Sequence, residues 1–176
     1  MLNGSGDLRP GEFGLEDVAP PDVGFEDEWV TRDEALTMNW EYFEALTAAL
    51  YAKRGYAAHR TPSTKDHGVD VVALPREQPK GKLVQAKISG TDGAALDWDA
   101  VKDVVTGRAF YSKRFPDVNF ELACITNQFF DEQTHLHARL NSVELIEQPV
   151  LLEMLNQTPV TMLEVERLLF PDWADA

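Results

Sequence analysis

Two short apolar stretches carry polar residues at positions where a buried strand has no use for them, and that conflict constrains the chain most. Val69-Asp70-Val71-Val72-Ala73-Leu74 and Lys82-Leu83-Val84-Gln85-Ala86-Lys87-Ile88 both read as strands. The polar turn from Pro75 to Gly81 makes them a hairpin. Side chains two apart on a strand share a face. Gln85 and Lys87 therefore project together, with Val84, Ala86 and Ile88 on the other side. Asp70 joins them from the first strand, with Val69 and Val71 expected to point the opposite way. A carboxylate and an ammonium at half-buried positions need pairing or a metal ion to offset lost hydration.

The flanking segments predict an α/β layer architecture. From about Thr37, the residues Trp40, Phe43, Leu46, Thr47 and Leu50 recur at helical spacing, and Gly55 stops that helix. Tyr56 to Arg60 is a short strand, and Thr61 to Gly68 is a loop by composition. Ser89 to Asp97 is a further loop. Trp98 to about Lys113 is a second helix with Val101, Val104, Val105 and Phe110 on its apolar side. Then follow a strand (Phe120 to Thr126), a helix (Phe129 to Leu140), a strand (Val143 to Ile146), a helix opened by Pro149, and a last helical piece from Thr161 to Leu169. The order α-β-β-β-α-β-α-β-α places a mixed sheet between helices. Residues 1–36, acidic and rich in Gly and Pro, read as a flexible arm; 37–157 form the core domain, and 158–176 a helical extension.

The chain has 176 residues, enough for one domain with a proper core. A net charge of −14 taken alone speaks against a nucleic-acid partner. The distribution speaks otherwise, because 12 of the 16 basic residues fall between 37 and 115, where the net charge is +3. A phosphate backbone responds to the local field. No run approaches the ~18 apolar residues of a membrane span. No basic-then-apolar leader opens the chain, and the single Cys124 excludes a disulfide framework. The expectation is a cytoplasmic protein with no membrane partner.

The polar cluster suits phosphodiester hydrolysis. Asp70 offers Mg²⁺ a hard carboxylate oxygen, the Gln85 side chain a neutral one, and the Ala86 backbone carbonyl another. Lys87 can hold or deprotonate an attacking water, or neutralise charge growing on the phosphorus. Glu44, at the edge of the first helix's apolar stripe, is the candidate fourth group, with Glu41 one turn earlier as its competitor. The plain readings are an Asp70–Lys87 ion pair, a satisfied polar Gln85 and a loop-capping Asp66. His67 adjoins the site and could touch phosphate, with a plain loop histidine as the default reading. Lys53, Arg54, Arg60 and Lys65 before the site, and Lys102 and Arg108 after it, are candidates to hold a DNA backbone, with solvated faces as the competing reading. Thr126, Asn127 and Gln128 end a strand, where they can reach the site or serve a turn.

These residues carry a resemblance. Phe43-Glu44, Gly55-Tyr56, Thr61 with Asp66-His67-Gly68-Val69-Asp70-Val71-Val72-Ala73, and Val84-Gln85-Ala86-Lys87 resemble the Mrr-type restriction endonuclease domain of the PD-(D/E)XK nuclease superfamily. The match continues through Ile125-Thr126-Asn127 and Val143-Glu144-Leu145-Ile146 into the Leu151-Leu152 helix, covering roughly residues 40–156. The resemblance implies a restriction-endonuclease-like core and DNA cleavage with Mg²⁺, for which Mn²⁺ can substitute, often in prokaryotic defence. By position it makes Asp70 and Gln85 metal ligands, Lys87 the catalytic lysine and Glu44 the helix carboxylate, with Asp66 and His67 accessory. Family members commonly carry a separate DNA-reading domain, so target choice is expected from a partner protein, and double-strand cutting is compatible with a homodimer. Two other readings stay open: a non-catalytic module of a defence or recombination complex, and a nuclease for RNA or branched DNA.

Overall fold

The segments that alternate or run apolar build a five-stranded mixed sheet, seen in a computed structural model that describes residues 28–62, 64 and 66–170. The arm expected over residues 1–27 lies outside the described residues, as does Lys65. The strands are β1 (Tyr56–Arg60), β2 (Val71–Pro75), β3 (Gly81–Lys87), β5 (Phe120–Thr126) and β7 (Val143–Ile146), in the order β1-β2-β3-β5-β7. The first three form an antiparallel meander, and β3, β5 and β7 run parallel. A two-residue pair, β4 (Ala95–Leu96) with β6 (Phe129–Phe130), sits beside the sheet. The helices are α1 (Arg32–Thr37), α2 (Trp40–Lys53), α3 (Asp99–Arg114), α4 (Glu132–Asn141), α5 (Gln148–Gln157) and α6 (Met162–Glu166).

Both faces of the sheet are covered, as parallel strands require. One core cluster joins Phe43, Leu46 and Leu50 of α2, Val71, Val84 and Ile125 of the sheet, Leu151 of α5 and Val165 of α6. The other joins Val72, Leu83 and Cys124 of the sheet to Val101, Val104 and Tyr111 of α3 and Ala138 of α4. The result is a three-layer α/β/α arrangement of the restriction-endonuclease-like kind. On β3 the alternation is as the hairpin predicts, because Val84, Ala86 and Ile88 meet the α2 cluster. Gln85 and Lys87 take the α3 side.

Four local expectations are corrected. Val69 and Val71 do not share a face; Val69 packs with α3 and Val71 with α2. The chain bends between them, after Gly68 at φ +79°, and β2 starts only at Val71. The third helix starts at Glu132, not Phe129, because the Asp131 carboxylate caps it by accepting from the Thr134 N–H at 2.7 Å. Phe110 is not on the buried side of α3 but 41% exposed. The buried stripe runs Val101, Val104, Gly107, Tyr111, and a glycine gives the stripe no hydropathy to read. Finally, residues 28–36 are docked rather than a free arm. Thr31 and Glu34 make a reciprocal capping box on α1, Trp29 bridges to Thr161, and the Val30 N–H donates to Val160 O at 2.9 Å.

Gly107 is a glycine for a reason of space. A Cβ there would stand 2.4 Å from the His67 carbonyl oxygen and 2.7 Å from Val69 Cγ2. Gly68 closes the same seam from the loop, since its Cβ would lie 2.5 Å from Asp103 O. Gly107→Ala is expected to lower stability by about 1–3 kcal/mol in urea unfolding, overpacking outweighing the helical preference of alanine. A variant more stable than the parent would show that the seam is open.

Candidate active site

The site lies where β2 and β3 part. Val71 and Val84 are register partners, yet the Val84 carbonyl accepts from the Asp70 N–H at 2.9 Å. The ladder is therefore displaced by one residue at Asp70. The next amide of β3 that faces β2, that of Ala86, donates to Asp70 Oδ2 at 2.7 Å. A side-chain carboxylate thus takes the place of a ladder carbonyl. On its other side Asp70 stays in the sheet, its carbonyl accepting from the Thr61 N–H at 2.9 Å.

This position buries the carboxylate almost completely, at 7% exposure. Burial first, then the charge of Glu44, then that of Asp66, pushes the Asp70 pKa up to about 7, against the pull of the Ala86 amide and Lys87. Gln85 is 6% exposed, and its Oε1 is the one buried side-chain polar atom without a hydrogen-bond partner among the described residues. An orphaned buried acceptor is costly. A buried carboxylate and a buried amide oxygen without a partner, carried by adjoining segments, are a donor set that a hard cation satisfies. Asp70 and Gln85 are thus residues that could hold the Mg²⁺ the resemblance implies. Among the described residues no three His, Cys, Asp or Glu side chains come close enough to hold one ion. A cation here would depend on amide and backbone oxygens as well as on acid.

Glu44 reaches the site from α2, but it is not free. Arg60, on β1 and 5% exposed, donates to Glu44 Oε2 through Nε at 3.1 Å and through Nη2 at 2.7 Å. Both donors converge on one oxygen, which leaves Oε1 outside the pair. Arg60 also donates to the Leu169 carbonyl and lies over the Trp40 ring. Burial raises the Glu44 pKa, and the Arg60 hydrogen bond and charge pull it back. Lys87 Nζ lies 3.4 Å from Asp103 Oδ2 of α3, both half-exposed. Asp66 spends its carboxylate on the turn, accepting from the Gly68 N–H at 2.9 Å. His67 stacks on Phe110, with ring centroids 3.7 Å apart.

The candidate basic residues take different places, and Lys65 lies outside the described residues. Arg60 is buried in the site, not presented to a backbone. Lys53, at the far end of α2 from Glu44, pairs with Glu164 at 3.0 Å. Arg54 lines a recess with Tyr51, Lys82 and Glu144, and Arg108 one with Lys80, Asn119 and Phe120. Both recesses lie towards the start of β3, whereas Gln85 and Lys87 are at its end. Lys102 pairs with Asp99 at 2.5 Å. Sequence reasoning missed Asp103 and Arg60 as partners of Lys87 and Glu44, because each partner comes from another element and no spacing announces it. Asn127 and Gln128 are braces: Asn127 Oδ1 accepts from the Ser89 N–H and its amide donates to Leu36 O and Ser89 O, while Gln128 Oε1 accepts from the Gly93 N–H.

The Asp70 shift has a sign in stability. A carboxyl whose pKa is raised by folding contributes stability that is complete below the ordinary value of 3.8 and is lost as pH rises through about 7. Metal-free protein is thus expected to lose up to ~4 kcal/mol between about pH 4 and pH 8 from this group. Asp70→Asn should flatten that fall in thermal melts and be the more stable protein at pH 8. Parallel pH profiles for the two would contradict the burial of Asp70.

A protein-family model described as restriction endonuclease, Mrr_cat, matches residues 35–155. Among solved structures, the chain is similar to a protein of unknown function, AF1548, at 20% identity and TM-score 0.45, over 65% of this chain and 66% of that one. It is also similar to the MspJI restriction endonuclease in complex with a 27-mer oligonucleotide, at 19% identity and TM-score 0.47, over 73% of this chain and 31% of that one. A third is the DNA modification-dependent restriction endonuclease AspBHI, at 20% identity and TM-score 0.47, over 82% of this chain and 40% of that one. The chain thus spans from about a third to about two thirds of these structures. No curated protein matches it. No helix among the described residues is long and apolar enough to cross a membrane. The family match covers more than half of the chain, and the chain belongs to the Mrr-type restriction endonuclease family of the PD-(D/E)XK superfamily.

Proposed function

We propose that the chain is a Mg²⁺-dependent endonuclease that hydrolyses DNA phosphodiester bonds, in a prokaryotic restriction setting and in the cytoplasm. The observation that carries this reading is a buried Asp70 carboxylate bonded to the Ala86 amide, with the orphaned buried Oε1 on the preceding residue, Gln85. In this reading Asp70, Gln85 and the Ala86 carbonyl hold the cation, and Glu44 Oε1 is the fourth group. A bound Mg²⁺ acidifies water and polarises a phosphoryl oxygen. Lys87 holds or deprotonates the attacking water, or neutralises charge growing on the phosphorus. Asp103 restrains the Lys87 ammonium, and Arg60 offsets the second negative charge that Glu44 brings near Asp70. Cutting both strands takes two such sites, which a homodimer supplies; target choice comes from a partner protein or a further domain.

A second reading is favoured by the partners of Glu44 and Lys87. Arg60 and Asp103 satisfy both charges with no metal present, as suits a non-catalytic module that keeps the fold. Calorimetry with Mg²⁺ separates the two. The parent is expected to bind the ion. Gln85→Leu is expected to lose that binding while melting no lower than the parent, because an unsatisfied buried acceptor has been removed. In a plasmid-nicking assay with Mg²⁺ or Mn²⁺, Lys87→Ala is expected to cleave at least ~100-fold more slowly. Parent-like cleavage by Lys87→Ala would remove that residue from the chemistry, and a parent that neither binds Mg²⁺ nor nicks would leave the module reading.

A further inference from the structure

His67 is held in a strained place by contacts that fix its ring. Its backbone has φ +54°, in the left-handed region that a residue with a Cβ disfavours. The turn around it is closed by the Asp66 carboxylate on the Gly68 N–H and by the Tyr111 hydroxyl, which donates to Asp66 O at 3.0 Å. The Gly68 and Gly107 seam presses the same turn onto α3. The outcome is an imidazole lying nearly parallel to the Phe110 ring, at 22° and 3.7 Å. Both rings are exposed. Phe110 therefore spends a large apolar ring on the surface while the buried stripe of α3 runs past it.

The pair also lies close to the chemistry. Phe110 is seven residues, two helical turns, beyond Asp103, the partner of Lys87. That separation is about 10 Å along the axis, on one helix face. It equals about three steps of a duplex strand at 3.4 Å each, and fewer of an extended unpaired one. Lys113, exposed one turn further on, supplies a cation for the phosphates there. A base-paired duplex offers base edges in its grooves, whereas a flat exposed ring system takes a base by its face.

We infer that the His67–Phe110 pair is a stacking platform for an unpaired base of the DNA strand that enters the site. The substrate class is then DNA that is single-stranded or locally opened next to the scissile phosphate, an inference that rests on the endonuclease reading. Phe110 and His67 act on substrate choice, not on the bond that breaks.

The test uses the full chain with Ca²⁺ in place of Mg²⁺, so that DNA is bound without being consumed. Anisotropy is read on a 20-nucleotide single strand and on its duplex. Phe110→Leu is expected to weaken single-strand binding about tenfold and duplex binding less than twofold, and Phe110→Tyr, which keeps the ring, to restore it. A 2-aminopurine base in the single strand should be quenched on binding to the parent and to Phe110→Tyr. The inference is overturned if Phe110→Leu binds single strands like the parent, or weakens both DNA forms equally, or if the parent does not quench the probe. A parent that binds neither form overturns the endonuclease reading, and this inference with it.

Discussion

The hydrogen bond from the Ala86 amide to the Asp70 carboxylate is the contact on which the site depends. Sheet edges and ladders pair amide with carbonyl, and a buried backbone amide left unpaired is costly. Here the partner is a side chain, so the same bond that satisfies the backbone anchors a carboxylate in the interior. It goes with a break in the regular register of β2 and β3, since the Val84 carbonyl accepts from the Asp70 amide. On the same strand, Gln85 Oε1 is buried with no partner among the described residues. Local order and chemical potential thus come from one irregularity: the ladder cannot be regular and also hold Asp70 where it is.

The second support is the seam between the motif loop and α3. Two glycines face backbone across it, Gly68 of the loop against Asp103 and Gly107 of the helix against His67. No side-chain hydrogen bond sets this distance; the absence of two methyl groups does. Close approach brings α3 near enough for Asp103 to meet Lys87 at the end of β3. Helix, loop and strand are therefore referred to one another through backbone packing, which is stiffer than a pair of long charged side chains.

The sequence was most legible where a period or a turn residue carries the information. The five strands follow from short apolar or β-branched runs, the hairpin from its polar turn, the shared face of Gln85 and Lys87 from the two-residue period, and the family from the residues around Asp70. Legibility failed where the information is shape. Gly107 holds the middle of a buried stripe with no hydropathy, so Phe110 was assigned to the core. The bend at Asp70 put Val69 and Val71 on different layers although they are two apart. Pairings such as Arg60 with Glu44 join residues 16 apart on separate elements, and the charge tally that gathered basic residues around the motif did not anticipate that one of them is buried inside the site. Local charge in the sequence measures neighbours along the chain, not neighbours in space.

The bond from Arg60 to the Leu169 carbonyl spans 109 residues. It ties the guanidinium that neutralises Glu44 to the last turn of the described chain. Trp29 and Thr161 meet in the same region, so early and late segments close on each other. Closing contacts of such long range carries an entropic cost that grows slowly with the length of chain between them. A partly synthesised chain that has emerged only through β5 or β7 can pair the hairpin and carry Asp70, Gln85 and Lys87, yet it lacks the carbonyl that steadies Arg60. The site thus draws on residues from both ends of the described chain.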